Sequence, residues 1–287
     1  MPTSFDRRMA EHYAELPERL RQACDYVVAN KMDTASRSLR TVAEESGLAP
    51  ATFTRLARAL GYDNYEELRE ALRSQITRRV SSFADRADAL QKGEWSGASG
   101  FLSLYRGAAQ GNIDTLAHAI DTDQLEATVE RLHGARKVVL LGALGSTGIA
   151  EYAAYVGMFL GANWTLAGRM GASIGSALVD MDARDALVIV TKPPFAHIAI
   201  RTAELAQGQG IFVVVITDTY DCPALRLASS GFVVPTDSPH FFSSYIATVF
   251  LLEVILAMVA QRAGPVASDR IAEIEAHNRA LREVIDV

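Results

Sequence analysis

The sequence predicts a multidomain protein in which an all-α domain precedes an α/β domain built on a doubly wound, flavodoxin-like parallel sheet. Residues 1–80 place apolar side chains at three- and four-residue spacing, which indicates amphipathic helices. From Lys137 onward, short apolar runs rich in β-branched residues alternate with helical segments. Continuous apolar strands separated by helices are typical of a parallel sheet covered on both faces.

The chain length and a glycine-rich segment predict two domains. The 287 residues suffice for domains at 1–80 and 112–287, joined by a linker at 81–111. The linker is expected because QKGEWSGASG, within it, has three glycines and two serines in ten residues. With 49% hydrophobic and 22% charged residues, each domain can form an apolar core.

We expect a cytoplasmic protein without a membrane span. The longest apolar run, 246–260, is interrupted by Glu253 and is shorter than the roughly 20 residues that cross a bilayer, so it favours a buried core helix. No apolar segment follows the two arginines near the N-terminus, as a secretory signal would require. Cys24 and Cys222 lie in different predicted domains without metal-ligand spacing. We therefore predict no disulfide, metal or cofactor.

The charge distribution is compatible with nucleic-acid binding by the first domain. A net charge of −6 for the whole chain argues against it. However, residues 1–80 carry 13 Lys and Arg against 12 Asp and Glu, whereas the remaining 207 residues carry 15 against 22. Because the acidity lies in the C-terminal part, the N-terminal domain is close to neutral and has locally grouped arginines.

Four helices are predicted in the first domain, at about 17–30, 38–47, 50–60 and 65–80. Ser38 is a good N-cap for the second helix, and Gly47 can end it in the left-handed conformation. Pro50 suits the first turn of the third helix. Two helices joined by a short glycine-containing turn predict a helix-turn-helix.

The third helix has an apolar face and a polar face. Phe53, Leu56, Ala57 and Leu60 share the face that packs inward. On the other face, arginine can donate two hydrogen bonds to guanine, and threonine can contact phosphate or a thymine methyl. The candidate DNA contacts, including two arginines that begin the preceding helix, are Arg37, Arg40, Thr52, Thr54, Arg55 and Arg58. Spacing alone leaves a helical hairpin with solvated arginines as the alternative.

This segment resembles the helix-turn-helix of the RpiR/MurR family of bacterial transcription regulators. The resemblance covers about residues 15–75 and rests on VVANKMDTAS followed by SLRTVAEESGLAPATFTRLARALGYDNYEELREAL. The family element A-T-[IF]-[ST]-R-[FL] corresponds to residues 51–56. The chain departs from the family at Ala49, where an N-capping serine is common, at a cost of about 1 kcal/mol that Pro50 offsets in part. The resemblance implies binding to a double-stranded DNA operator.

In the second domain, strands are predicted at 137–142, 163–168, 185–191, 211–218 and 231–236, with a long helix from about His240 to Arg262 and another after Ser268. The first strand is followed by GALGSTGIAEYAAY. Here Gly145 allows a tight turn, and the hydroxyls of Ser146 and Thr147 lie at a helix start, an arrangement that can bind an anion. Any doubly wound fold needs such a turn for packing, so both interpretations stay open.

The family resemblance implies that residues 120–263 form a SIS (sugar isomerase) domain, which senses phosphosugars. In SIS domains, a first loop and a second loop, S-x-S-G-x-[ST], hold the phosphate, so Ser146 and Thr147 correspond by position. The first loop has one residue more than the usual spacing between its glycine and serine. The second loop departs further, because it has TKPPF at 191–195 and proline has no N–H to donate.

Two interpretations of the altered second loop remain. In one, Lys192 replaces the lost donors with a point charge, and an anionic effector still binds. In the other, phosphate binding has been lost, and the pocket binds a different small molecule or none. A lone histidine at a predicted helix start is more often structural, but His240 is included because it lies near the strand ends. The candidate ligand contacts are Gly145, Ser146, Thr147, Thr191, Lys192 and His240.

The leading functional hypothesis is a DNA-binding transcriptional regulator of a metabolic, carbohydrate-related operon that responds to a small effector. A homodimer or homotetramer held by SIS domains would place paired recognition helices on a two-fold related operator. One alternative is a regulator whose SIS domain serves only oligomerisation. Another is a sugar-phosphate isomerase, which needs a base beside a bound sugar. No such pair stands out in the sequence, so we predict no catalytic residue.

Overall fold

The computed structural model describes residues 5–80, 82–93, 97–168 and 172–285. The chain divides into two compact units. The first unit comprises the chain up to Ala119 together with Asp237–Ser244, and the second comprises Ile120–Thr236 together with the chain from Tyr245 onward. Residues 81 and 94–96 of the expected linker lie outside the described residues.

The first unit contains eight α-helices among the described residues. They are α1 (Phe5–His12), α2 (Glu18–Ala29), α3 (Lys31–Ser36), α4 (Leu39–Ser46), α5 (Pro50–Ala59), α6 (Tyr65–Val80), α7 (Phe83–Lys92) and α8 (Gly97–Ala119). The four predicted helices correspond to α2, α4, α5 and α6, which confirms the all-α fold of this region. Their core is apolar, and Phe53, Leu56 and Leu68 are fully buried in it.

Among its described residues, the expected linker at 81–111 is largely helical, because α7 and much of α8 lie there. Helix α7 begins with a capping box, in which Ser82 Oγ accepts from Asp85 N at 3.1 Å and Asp85 Oδ2 accepts from Ser82 N at 3.0 Å. Two otherwise unsatisfied donors are thereby paired, which stabilises the helix start. Helix α8 begins within the glycine-rich segment and packs against α1. That packing partner is not visible in local sequence composition.

The second unit is an α/β sandwich. Its elements are α9 (Thr122–His133), β1 (Val138–Gly142), α10 (Thr147–Leu160), β2 (Trp164–Leu166), α11 (Ile174–Leu178), β3 (Ala186–Val190), α12 (His197–Gly208), β4 (Phe212–Thr217), β5 (Ser230–Val233), α13 (Ile246–Ala263) and α14 (Pro265–Ala280). All four strand pairings are parallel, in the order β2-β1-β3-β4-β5. This is the predicted flavodoxin-like, doubly wound order.

The two faces of the sheet are covered by different helices. Leu187 and Ile189 of β3 pack in one apolar cluster with Ala199 and Ala203 of α12. Because side chains alternate along a strand, Val188 and Val190 point to the opposite face. The loops after β1, β3 and β4 lie together at the carboxyl edge of the sheet, where ligands of doubly wound folds bind.

Helix α13 begins at Ile246, not near His240 as predicted. The preceding residues form local turns instead, in which Ser238 Oγ accepts from His240 N at 3.0 Å and His240 Nδ1 accepts from Phe242 N at 3.1 Å. Such bonds compete with helical ones. Among the described residues, α13 is the one helix long and apolar enough to cross a membrane. Its face with Leu251, Ile255 and other apolar residues is buried, as in a core helix.

Candidate functional site

The helix-turn-helix is formed by α4, a short turn and α5. Ser38 Oγ accepts from Thr41 N at 3.2 Å and caps the start of α4. Gly47 ends α4 with φ of 68°, in the left-handed region where glycine has no steric penalty. Leu48 N then donates to Ala43 O at 3.2 Å. These capping bonds determine the path of the chain from α4 into α5.

Helix α5 presents the predicted polar face. Phe53 and Leu56 are fully buried, whereas Arg55 and Arg58 are exposed. Thr52 and Thr54 are half-buried, and the hydroxyl of Thr54 donates to Pro50 O at 3.4 Å. Helix α5 has no side-chain cap, because Ala49 occupies the N-cap position.

The candidate arginines differ in their partners. Arg37 forms ion pairs with Asp33, at 3.2 Å, and with Glu45, and Arg40 pairs with Glu44 at 3.0 Å. Arg55 and Arg58 have no hydrogen-bond or ion-pair partner within the part of the chain that the structure describes. The guanidinium groups of Arg55 and Arg58 are therefore free to donate to a ligand, whereas Arg37 and Arg40 are paired with carboxylates.

The C-terminal end of α5 is held by α1, which the sequence did not predict. The guanidinium of Arg8 donates to Gly61 O and, at 3.4 Å, to Leu60 O. The same group lies 4.1 Å from the centroid of the Tyr62 ring. Carbonyl groups at a helix end carry partial negative charge, so a cation is stabilised there.

In the second unit, the first loop after β1 is tightly packed. A Cβ atom on Gly142 would lie 2.2 Å from the carbonyl oxygen of Ser146, so only glycine fits. Ser146 is buried, and its Oγ lies 2.9 Å from Tyr245 Oη at the start of α13. Thr147 Oγ1 donates to Gly142 O at 3.4 Å, and Gly145 is exposed.

The second loop places a lysine inside the protein. Thr191 and Lys192 follow β3 and are both buried, whereas Pro193 and Pro194 are exposed. Lys192 Nζ lies 3.8 Å from the centroid of the Tyr245 ring, a cation–π contact when the amine is protonated. Burial lowers the pKa of Lys192 to about 7, against the opposing effect of the Asp218 carboxylate.

Asp218 follows β4 and completes this group of side chains. Its Oδ2 accepts from Thr236 Oγ1 at 3.3 Å. Burial raises the pKa of Tyr245, the bond from Ser146 opposes that shift, and the charge of Asp218 adds to it. Ser146, Lys192, Asp218 and Tyr245 thus form one interacting set, which we call the carboxyl-edge cluster.

The structure brings together only some of the predicted ligand contacts. Ser146 and Lys192 both contact Tyr245. Gly145 and Thr147 flank Ser146, and Thr191 precedes Lys192, so these five belong to the same two loops. His240 lies in Asp237–Ser244, which groups with the first unit, and its part in a ligand site stays a prediction. In the described residues, no group of three or more His, Cys, Asp or Glu side chains could hold a metal ion.

Sequence reasoning missed Asp218 and Tyr245. Asp218 had a usable signal, since it is an acidic residue directly after a buried apolar strand. Tyr245 had none, because it fell inside the long apolar helix predicted from about His240 to Arg262. Its contacts with Ser146 and Lys192 become visible only in the structure, where Tyr245 directly precedes α13.

Two family models match the chain. One describes a helix-turn-helix domain of the rpiR family and matches residues 4–79, and the other describes a SIS domain and matches residues 131–258. Together they cover more than half of the chain. The chain belongs to the RpiR family of transcriptional regulators. This confirms the predicted family and function class, a DNA-binding transcriptional regulator with a C-terminal SIS domain.

Solved structures share the fold of this RpiR-family regulator. The Vibrio vulnificus NanR protein complexed with ManNAc-6P is 20% identical, with a TM-score of 0.56, over 96% of this chain and 98% of that one. The sugar isomerase domain of an RpiR transcription factor from Sphaerobacter thermophilus is 19% identical, with a TM-score of 0.57, over 61% and 97%. At these identities the likeness concerns the fold alone. Among curated proteins, no sequence matches the chain.

Proposed function

We propose that α5 binds in the major groove of an operator and that Arg55 and Arg58 make its principal contacts. The observation that carries this proposal is that both arginines are exposed and have no partner among the described residues. Arginine in such a helix can donate to guanine or to phosphate. The ion-paired Arg37 and Arg40 would contact the DNA backbone only after separating from their carboxylates, so their contribution is smaller.

The DNA-binding proposal is tested with DNA flanking the protein's own gene. We expect a specific complex in gel-shift assays that survives an excess of unrelated DNA and weakens as salt rises, because phosphate contacts release counterions. No specific shift with any such fragment would contradict the proposal.

We further propose that the carboxyl-edge cluster binds the effector, a small carbohydrate derivative. Its position supports this, because the chain leaves β1 toward β2 and returns to β3 on the other side, and ligands bind at such a switch point. The candidate residues Gly145, Ser146, Thr147, Thr191 and Lys192 are in the two loops at that point. The bound ManNAc-6P of the NanR structure supports a sugar derivative as the ligand class.

The effector proposal is tested by thermal denaturation with phosphosugars, sugar acids and polyols. We expect at least one compound to raise the melting temperature and to change operator affinity, since an effector must bind one state more tightly. If none does so, the SIS domain serves only oligomerisation. The two prolines of the second loop favour that alternative, because they provide no backbone donors for a phosphate.

We propose a cytoplasmic homodimer or homotetramer that is a regulator and not an enzyme. An assembly is supported by exposed apolar side chains on α10, where Tyr152, Tyr155 and Met158 are 39%, 56% and 43% exposed. The proposed division is a DNA-binding domain at 1–80, a connection at 81–111, and an effector and assembly domain at 112–287. The helix-turn-helix core, which ends at Leu72, supports the first boundary. The molar mass in solution tests the assembly.

A further inference from the structure

Lysine is rare in this chain, and one lysine is buried. Of 28 Lys and Arg residues, only Lys31, Lys92, Lys137 and Lys192 are lysines. Lys92 pairs with Asp88 at 2.6 Å, Lys137 donates to Ala177 O at 2.7 Å, and Lys31 lies 5.9 Å from the Phe5 ring centroid. Only Lys192 is buried, with 6% of its surface exposed.

A buried lysine has a property that a buried arginine lacks. Arginine stays protonated at every accessible pH and is the better ligand for phosphate and carboxylate groups, whereas a buried lysine can lose its proton and become a nucleophile. This chain uses arginine at nearly every cationic position. A lysine at the centre of the carboxyl-edge cluster therefore suggests that the neutral amine is the functional form.

We propose that Lys192 captures its ligand covalently, as a reversible imine with the carbonyl group of an open-chain sugar derivative. This inference rests on the proposed effector site and names the chemistry of its ligand. The ligand class is an aldose or ketose with an accessible carbonyl. The carbonyl, and not a phosphate group, is what the site recognises.

The reaction balances without an oxidant or reductant. The Nζ lone pair attacks the carbonyl carbon, and the π electrons of the C=O bond move to the oxygen. That oxygen takes a proton from the nitrogen, which gives a carbinolamine. The hydroxyl then leaves with a proton as water, and the C=N bond forms. Hydrolysis of the imine by water reverses both steps and releases the free ligand and the amine.

The cluster provides the groups that this reaction needs. The Tyr245 ring centroid lies 3.8 Å from Nζ, and the Tyr245 hydroxyl lies 2.9 Å from the Ser146 hydroxyl, so the phenol beside the amine is itself hydrogen-bonded to a serine. Asp218 interacts with Lys192 through its charge and can hold the proton exchanged during dehydration. The exposed Gly145 and Pro193 are the chain neighbours of the buried Ser146 and Lys192, so both loops reach the surface within one residue of the cluster.

The charge of the cluster also disfavours a phosphate group. Protonated Lys192 and ionised Asp218 already neutralise each other, so a phosphate dianion would leave a net negative charge at a largely buried site. The second loop offers no N–H at Pro193 or Pro194 to compensate. A neutral carbonyl ligand carries no such penalty.

The inference is tested by reductive trapping on the full chain. The protein is incubated with glyceraldehyde and cyanoborohydride near neutral pH, digested and mapped by mass spectrometry, with glycerol as the control without a carbonyl. With a pKa of about 7, Lys192 is about half neutral there, whereas an ordinary lysine is neutral in roughly one molecule in 2500. We expect at least ten-fold more adduct on Lys192 than on Lys31, Lys92 or Lys137. Equal or lower labelling of Lys192 would overturn the inference.

A second measurement separates a reactive amine from a merely accessible one. Among the described residues, Asp218 and Tyr245 are the charged and titratable groups that face Lys192. Since Asp218 raises the pKa of Lys192, Asp218→Asn is expected to move the midpoint of Lys192 labelling to lower pH. Its circular dichroism and melting curve report whether the variant folds. An unchanged midpoint in a folded variant would contradict the proposed role of the cluster.

The two proposals fail in different ways. If glyceraldehyde labels Lys192 selectively but no sugar derivative alters operator affinity, the imine chemistry stands and the effector function does not. If a compound does alter operator affinity and Lys192→Arg responds to it as well as the wild type, the effector function stands and the imine is excluded. Arginine keeps the charge but cannot form this bond.

Discussion

At the scale of single residues, the buried amine of Lys192 makes stability depend on pH. Burial lowers the pKa of Lys192 to about 7 in the folded protein, whereas the unfolded chain has the ordinary value near 10.4. Between these values the unfolded state binds more protons, so the free energy of unfolding rises with pH. Below about pH 7 both states are protonated, and the destabilisation by the buried charge is fully present.

We predict that Lys192→Met removes this pH dependence. In the wild type, titration of Lys192 raises the free energy of unfolding by up to about 1.4 kcal/mol per pH unit above pH 7. Urea denaturation at several pH values measures this slope. The exposed Lys92 provides the control, since Lys92→Met should leave the slope unchanged. A wild-type slope retained in Lys192→Met would show that the amine is not titrating in this range.

Arg55→Ala is predicted to weaken operator binding by about 1–3 kcal/mol, because one guanidinium that donates to DNA is lost. Fluorescence anisotropy on the operator gives the affinity, and light scattering should show an unchanged assembly. Arg201→Ala is the matched control, because Arg201 is 77% exposed in the second unit, pairs with Glu204 and contributes the same charge. Equal affinities of the two variants would remove Arg55 from the DNA interface.

Residue roles could be predicted from the sequence where they depend on one helix, and not where they depend on two distant segments. The inward and outward faces of α5 follow from helical periodicity, so Phe53 and Arg55 were assigned correctly to its buried and exposed faces. Lys192 and Ser146 were predicted as ligand contacts because each lies in a loop that follows a predicted strand. Tyr245 was missed, because its contact with both exists only after α13 packs beside the sheet.

At the scale of elements, the recognition helix α5 is held at both ends. Its N-terminal approach is fixed by the caps of α4, and these were predicted because Ser38 and Gly47 act locally. Its C-terminal end is fixed by Arg8 of α1, whose partners lie at Leu60, Gly61 and Tyr62. No local pattern indicates such a contact, since it joins elements far apart in the chain.

Arg8→Ala is predicted to lower the free energy of unfolding by about 1–3 kcal/mol. A charged hydrogen bond contributes about 1.5–3 kcal/mol and a cation–π contact about 0.5–1 kcal/mol, with partial replacement by water. Chemical denaturation measures the change, and operator affinity should fall as α5 loses its anchor. Arg19→Ala, at an exposed arginine for which the described residues offer no partner, is expected to change neither quantity. If both variants behaved alike, the contact of Arg8 would have no role in positioning α5.

The strand order and the helix bounds illustrate the same division between local and long-range information. All five strands were predicted to within about two residues at most ends, because buried parallel strands are continuous apolar runs. The start of α13 was predicted too early, since the apolar stripe continues through Phe241 while Ser238 and His240 form competing local bonds. Helix α8 begins inside the expected linker, and its packing against α1 is not apparent from the local sequence.

At the scale of the whole molecule, an effector can act on DNA binding only if it favours one arrangement of the protein. The covalent chain joins the carboxyl-edge cluster to a segment of the first unit. Tyr245 of the carboxyl-edge cluster directly follows Asp237–Ser244, a segment that groups with the first unit. Asn112 of α8 holds that segment through two bonds to the backbone of Asp237, of 2.7 and 3.0 Å. A ligand that moved Tyr245 would therefore act on a segment bonded to α8.

The last prediction concerns assembly, on which two-fold operator binding depends. Tyr155 on α10 is 56% exposed and lies beside other exposed apolar side chains. Leu205 on α12 is similarly exposed, at 50%. We expect Tyr155→Glu to dissociate the assembly, because a buried charge at an interface lacks a partner, whereas Leu205→Glu should leave the molar mass unchanged.

Light scattering gives the mass, and binding to full and half operators gives the functional consequence. The dissociated Tyr155→Glu protein should keep its affinity for a half-site and lose the advantage of the full site, since linked recognition helices bind the second half-site at high effective concentration. An assembly that survived Tyr155→Glu but dissociated with Leu205→Glu would place the interface on α12 instead of α10. Dissociation with no change in full-site affinity would mean that one recognition helix accounts for operator binding.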